Sequence, residues 1–77
     1  MEICKRRTTV KRVKDNIVVN STTEIRKGKT SYTIEAIKVD EDGWEVVLAG
    51  YYNLKNSTKA NSIYLETIYK ISNGDLG

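Results

Sequence analysis

Two alternating runs dominate the pattern of hydrophobic and polar positions. Ser31–Val39 and Trp44–Tyr52 are rich in β-branched and aromatic residues, and Asp40-Glu41-Asp42-Gly43 separates them. Residues of this kind at period two predict strands. Asp is favoured at the first position of a type I turn, and glycine accepts the left-handed conformation that closes a three-residue hairpin loop. The stretch therefore predicts one long hairpin closed by Asp40 and Trp44. Alternation then assigns Tyr32, Ile34 and Ala36 to one face together with Trp44, Val46, Leu48 and Tyr52. That face is almost wholly apolar and is expected to be the core. The opposite face carries Thr33, Glu35, Ile37 and Val39 with Glu45, Val47, Ala49 and Tyr51, a mixed set. A one-residue change of register would exchange cross-strand partners.

The flanking sequence supplies the other elements. Met1–Arg7 reads as a short arm in which Ile3 packs and Cys4 follows it inward. Thr8–Lys14 and Ile17-Val18-Val19 form a first hairpin over Thr8–Asn20, turning at Lys14-Asp15-Asn16. Ser21-Thr22-Thr23-Glu24 matches a capping box and allows one helical turn ending near Gly28. The same residues also read as a strand, Thr22–Arg26, that turns at Lys27-Gly28, and the two readings stay open. Asn53–Asn61 is polar and reads as a loop.

Ser62–Ser72 supports two readings. As a helix, capped by Ser62 and stopped by Gly74, it shows Tyr64, Leu65, Ile68 and Tyr69 on one face. As a strand it shows Ile63, Leu65, Thr67, Tyr69 and Ile71. Six of the nine residues from Ile63 to Ile71 are β-branched or tyrosine, which favours the strand. Asn73-Gly74 is a turn, and the last three residues are expected to fray. The expected fold is thus all-β: one domain over residues 1–77, a five-stranded meander or a small, partly open barrel. The alternative is α+β, with a carboxy-terminal helix at 62–72 lying on the core face.

Composition narrows the functional classes. A chain of 77 residues buries only about 60% of its unfolded surface. Cys4 is its single cysteine, so no disulfide forms within one chain. Stability must come from packing or from a partner, a homodimer included. A lone thiol without a signal peptide points to the cytoplasm. No apolar run approaches the ~20 residues of a membrane span, so no membrane partner is expected. The chain has no histidine, which removes the usual metal sites and the commonest general base. Asp40, Glu41 and Asp42 lack the alternate spacing of a calcium loop and read as a solvated turn. No glycine-rich phosphate loop is present. Neither a cofactor nor a catalytic activity is expected.

Charge changes this picture most. Residues 1–29 hold nine basic side chains (Lys5, Arg6, Arg7, Lys11, Arg12, Lys14, Arg26, Lys27 and Lys29) against the acidic Glu2, Asp15 and Glu24. Residues 30–77 hold four basic and seven acidic ones. The nine cations are the candidate nucleic-acid-binding set: a basic surface attracts polyanions through counterion release. Small β-proteins that hold single strands add stacked aromatics, a role open to Tyr51, Tyr64 or a neighbouring tyrosine. Lysine on a strand edge also simply prevents aggregation, and an acidic protein surface would attract the same cations. Ile37, Val39, Val47 and Tyr51 form the second candidate surface, an apolar patch on the mixed face. That surface suits a protein–protein module, an inhibitor or adaptor of viral or mobile-element origin, that docks through it or adds an edge strand.

Overall fold

The structure, a computed structural model, describes residues 3–76. The expectations for Met1 and Glu2 in the arm, and for Gly77 in the tail, lie outside those residues. Four strands and one helix follow in order: β1 (Cys4–Lys14), β2 (Ile17–Arg26), β3 (Lys29–Val39), β4 (Glu45–Leu54) and α1 (Ser57–Ser72). The strands form an open antiparallel sheet in the order β1-β2-β3-β4. β-rich architecture agrees with the sequence. The fifth strand does not: residues 62–72 are helical, and the helix begins five residues earlier than Ser62. The α+β alternative describes the chain.

The turns explain the meander. β1 and β2 are joined at Asp15-Asn16, and β2 runs on to Arg26, so Ser21–Glu24 is strand and makes no helical turn. Lys27 and Gly28 both have positive φ, 53° and 74°, which is the two-residue hairpin turn whose twist matches that of strands. At the β3–β4 loop the Asp40 N–H donates to the Trp44 carbonyl at 3.0 Å, and the Asp40 carboxylate accepts from the N–H groups of Asp42 and Trp44. Gly43 takes φ 85° there. The expected closing pair is therefore the observed one. β1 also starts early: Cys4 to Arg7 pair with β2 and form no arm, and Ile3 and Cys4 are exposed.

Two irregularities in β4 overturn half of the face assignment. Ala36 pairs with Ala49 but Ile37 pairs with Val47, so Leu48 is an extra residue. Tyr32 pairs with Leu54 and Ile34 with Tyr51, which leaves a second irregularity near Asn53, whose φ is 58°. Each bulge advances one strand by a residue and exchanges its faces. Ala49 and Tyr51 consequently share the face of Ile34 and Ala36, and Tyr52 lies on the opposite face. Trp44, assigned to the core by simple alternation, is 72% exposed at the hairpin mouth.

One face of the sheet is covered by α1. The core consists of Ile17, Val19, Ile34, Ala36 and Ile71, with Val13, Leu48, Ile63, Tyr64, Ile68 and Leu76 packed around it. Leu76 is thus held in place, against the expectation of a frayed end. Ala60, Ile63, Tyr64, Thr67, Ile68 and Ile71 recur at helical spacing and turn towards the sheet, while Leu65 and Tyr69 are exposed. The cap is Asn56, whose Oδ1 accepts the Lys59 N–H at 3.0 Å. Buried Thr67 donates its hydroxyl to the Ile63 carbonyl at 2.7 Å, which removes the penalty of burying an unpaired hydroxyl. Burial of one face outweighs the weak helix propensity of this segment.

Candidate nucleic-acid interface

The β2–β3 turn and the start of β1 lie at one end of the sheet, because Cys4 pairs with Arg26 and Arg26 with Lys29. That register gathers six of the nine candidate cations: Lys5, Arg6, Arg7, Arg26, Lys27 and Lys29. Two shallow hollows flank this end. One, of about 450 Å³, is lined by Arg26, Lys27, Lys29 and Lys55 with Glu24, Ser31 and Asn53. The other, of about 260 Å³, is lined by Lys5, Arg6, Arg7, Thr23 and Ile25. Lys55 was missed in the sequence because it lies in the acidic half; only the pairing of Leu54 with Tyr32 carries it to the basic end.

Lys11, Arg12 and Lys14 are not part of this cluster. They pair with Val19, Val18 and Ile17 along the outer edge strand and lead towards the opposite end. The acidic loop Asp40-Glu41-Asp42 and the Asp15 turn occupy that opposite end, so the charge asymmetry of the sequence becomes a dipole along a molecule 43 Å long.

One carboxylate, Glu24, lines the first of the two basic hollows and none lines the second, and it is already engaged. Arg6 Nη2 donates to Glu24 Oε2 at 2.8 Å, and Arg26 Nη2 lies 3.3 Å from Glu24 Oε1. The hydrogen bond from Arg6 is the main reason that the Glu24 carboxyl lies below the usual glutamate range, with the charge of Arg26 adding to it. Exposed pairs of this kind contribute little to stability.

Lys27 carries a local strain. Its left-handed φ of 53° is one that Gly, Asn or Asp adopts readily and that costs lysine about 1–2 kcal/mol. Asn-Gly is the residue pair such a turn prefers, and this turn has Lys-Gly.

A third hollow, of about 260 Å³, opens on the helix side of the sheet beneath the first turns of α1. It lies between Ile34 on the sheet and Ala60 on the helix, beside Tyr32 and Tyr64, and its polar lining is Thr9, Ser21, Thr23, Ser57 and Asn61. Thr23 also lines the Lys5–Arg7 hollow, so the two adjoin.

The second candidate surface is divided by the fold. Ile37, Val39 and Val47 do share the open face of the sheet, next to Val18. Tyr51 lies on the helix side, as the β4 bulge dictates. Ile37 is only 9% exposed and Val47 is 51% exposed, so the patch narrows to Val39 and Val47 with buried Ile37 between neighbours. Tyr52 replaces Tyr51 on this face. Its ring lies over Gly50, where a Cβ would collide with it, and its hydroxyl donates to Glu35 Oε2 at 2.8 Å. That bond raises the Tyr52 pKa above the ordinary tyrosine value.

The fold defines a four-stranded antiparallel meander covered on one face by a carboxy-terminal helix. Among the described residues, no helix is long and apolar enough to cross a membrane. No family model, curated protein or solved structure matches the chain.

Proposed function

We propose that this chain is a small, non-enzymatic module that binds nucleic acid through the basic end of its sheet. One observation carries the reading. Seven cations gather at the Lys27-Gly28 end of the sheet, Lys5 and Arg7 on its helix side and Arg6, Arg26 and Lys29 on its open side, and the single carboxylate lining their hollows, Glu24, is shared by two arginines. Like charges assembled in this way repel one another, and a polyanion relieves that repulsion while releasing its own counterions. The unfavourable backbone of Lys27 supports the same reading, since a cation is kept where the fold would prefer asparagine.

The test is fluorescence anisotropy of labelled oligonucleotides at several salt concentrations. Binding is expected at low salt, with log K falling by about 0.7 per phosphate contact on a single strand and about 0.9 on a duplex for each unit of log salt. A variant with Arg7→Gln, Lys27→Asn, Lys29→Gln and Lys55→Gln is expected to lose most of that affinity and much of the slope. Absence of binding by the native chain at low salt would sink the proposal.

A second reading rests on the open face, where Val39 and Val47 are exposed beside Ile37. Under it the chain is an interaction module for another protein, and Val47→Ser removes binding that the cation variant keeps.

A further inference from the structure

We infer that the hollow beneath the first turns of α1 receives one unstacked base of a single strand whose phosphates lie on Lys5 and Arg7. This deepens the reading above and rests on it. The chemistry of the hollow argues for a base over other small groups. Its lining contains no charged side chain, which disfavours an ion. Hydroxyls and an amide make up much of that lining, which disfavours a lipid chain. Two half-buried tyrosines, Tyr32 and Tyr64, line it beside the apolar Ile34 and Ala60. A nucleobase is flat, uncharged and edged with donors and acceptors, and it matches each of those features.

Position adds a second argument. A base never arrives alone; it is tethered to a phosphate. Thr23 borders both this hollow and the cationic one formed by Lys5, Arg6 and Arg7. The neutral hollow and the cationic one are thus adjacent in the order that a nucleotide requires. Facing hydroxyls elsewhere on the sheet do something different: Thr8 and Thr22, on the open face, bond to each other at 3.0 Å. Base stacking on aromatic side chains tolerates any sequence, so the hollow selects single strand over duplex, with readout of base identity secondary.

The experiment compares two labelled strands of equal length, one of thymidine nucleotides and one abasic throughout, so that the phosphates are matched. The native chain is expected to bind the thymidine strand at least roughly fivefold more tightly, with equal salt slopes for the two. Ser21→Leu fills the hollow and is expected to bring the thymidine strand down to the abasic level while leaving the abasic strand unchanged. Asn61→Leu, at the exposed part of the same lining, serves the same purpose if Ser21→Leu lowers the melting temperature. Equal affinity of the native chain for both strands overturns the base hollow and leaves phosphate binding standing. So does a fivefold preference that survives in a well-folded hollow-filling variant, because the base would then sit elsewhere. If neither strand binds at low salt, the nucleic-acid reading fails and this inference fails with it.

Discussion

The two ends of the sheet are held together by different forces. At the end formed by Ile17, Val39 and the last turns of α1, side chains from β2, β3 and the helix interlock: Val19, Ile34 and Ile71 are fully buried. At the Lys27-Gly28 end the strands extend past the start of α1, since Ser57 already lies level with Thr23 and Tyr32. Backbone ladders and one shared carboxylate are what order that end, and its side chains are mostly cations. Burial explains the first end completely. It does not explain the second, where the charges oppose compactness and contribute no core. Under the function proposed above, the first end answers to folding and the second to a ligand.

The largest effect is expected where burial acts. Ile71→Ala removes a fully buried side chain that joins helix to sheet, and such truncations cost about 2–5 kcal/mol. A chain of this size has little reserve, so a large fall in the denaturant midpoint is expected, read by circular dichroism. A midpoint close to native would mean that the helix is docked less firmly than its burial implies.

The next effect lies in binding and should spare stability. The fourfold variant Arg7→Gln, Lys27→Asn, Lys29→Gln and Lys55→Gln is expected to weaken oligonucleotide binding more than tenfold at low salt, about 1.4 kcal/mol. Its denaturant midpoint should match that of the native chain or exceed it. A marked loss of stability would show that these cations serve the fold and would undo the contrast between the ends.

How far the sequence revealed these ends differs in an instructive way. The Asp40–Trp44 loop was legible because its Asp and Gly have specific backbone roles, and the structure has the expected hydrogen bonds. The faces of β3 were legible for the same local reason. β4 was not: a single extra residue at Leu48 reverses the side chains from Ala49 to Tyr52, and no residue type there announces a bulge. The helix was obscured because Ile63, Thr67, Ile68 and Ile71 are β-branched, and propensity pointed to a strand. Its actual signals were Asn56 as the cap and Ala60 one turn later, both inside a stretch too polar to look like an element. The basic set was legible as charge. Its division into a cluster and an edge run, and the arrival of Lys55, depended on register alone.

A smaller effect tests whether Lys27 is retained for its charge. Lys27→Asn relieves the left-handed strain and installs the preferred turn pair. Stability is expected to rise by up to about 1 kcal/mol, seen as a higher melting temperature, while oligonucleotide affinity falls by a few fold. The two changes have opposite signs, as a residue kept for function against the fold's preference requires. If both stability and affinity rose, the side chain would have no role in binding.

The smallest effect concerns Glu24, whose carboxylate holds Arg6 and Arg26 at the basic end. Its pKa is depressed in the folded chain below the ordinary value of 4.5. A carboxylate with a depressed pKa stabilises the fold above the unfolded value, and that contribution disappears as pH falls through the lower, folded value. Because the pair is exposed, little stability is at stake, and binding gives the clearer readout. Protonation of Glu24 loosens its hold on the Arg6 guanidinium, which then turns to phosphate, so affinity for a thymidine strand should increase modestly as pH drops below about 4.5. Glu24→Gln should reproduce that gain at neutral pH, with a slightly steeper salt slope, and should abolish the pH dependence. Thymine does not titrate in this range, so the change belongs to the protein. An unaltered affinity in Glu24→Gln would mean that Arg6 stands outside the bound strand's path, and the interface would contract to Lys5 and Arg7 with the lysines of the turn.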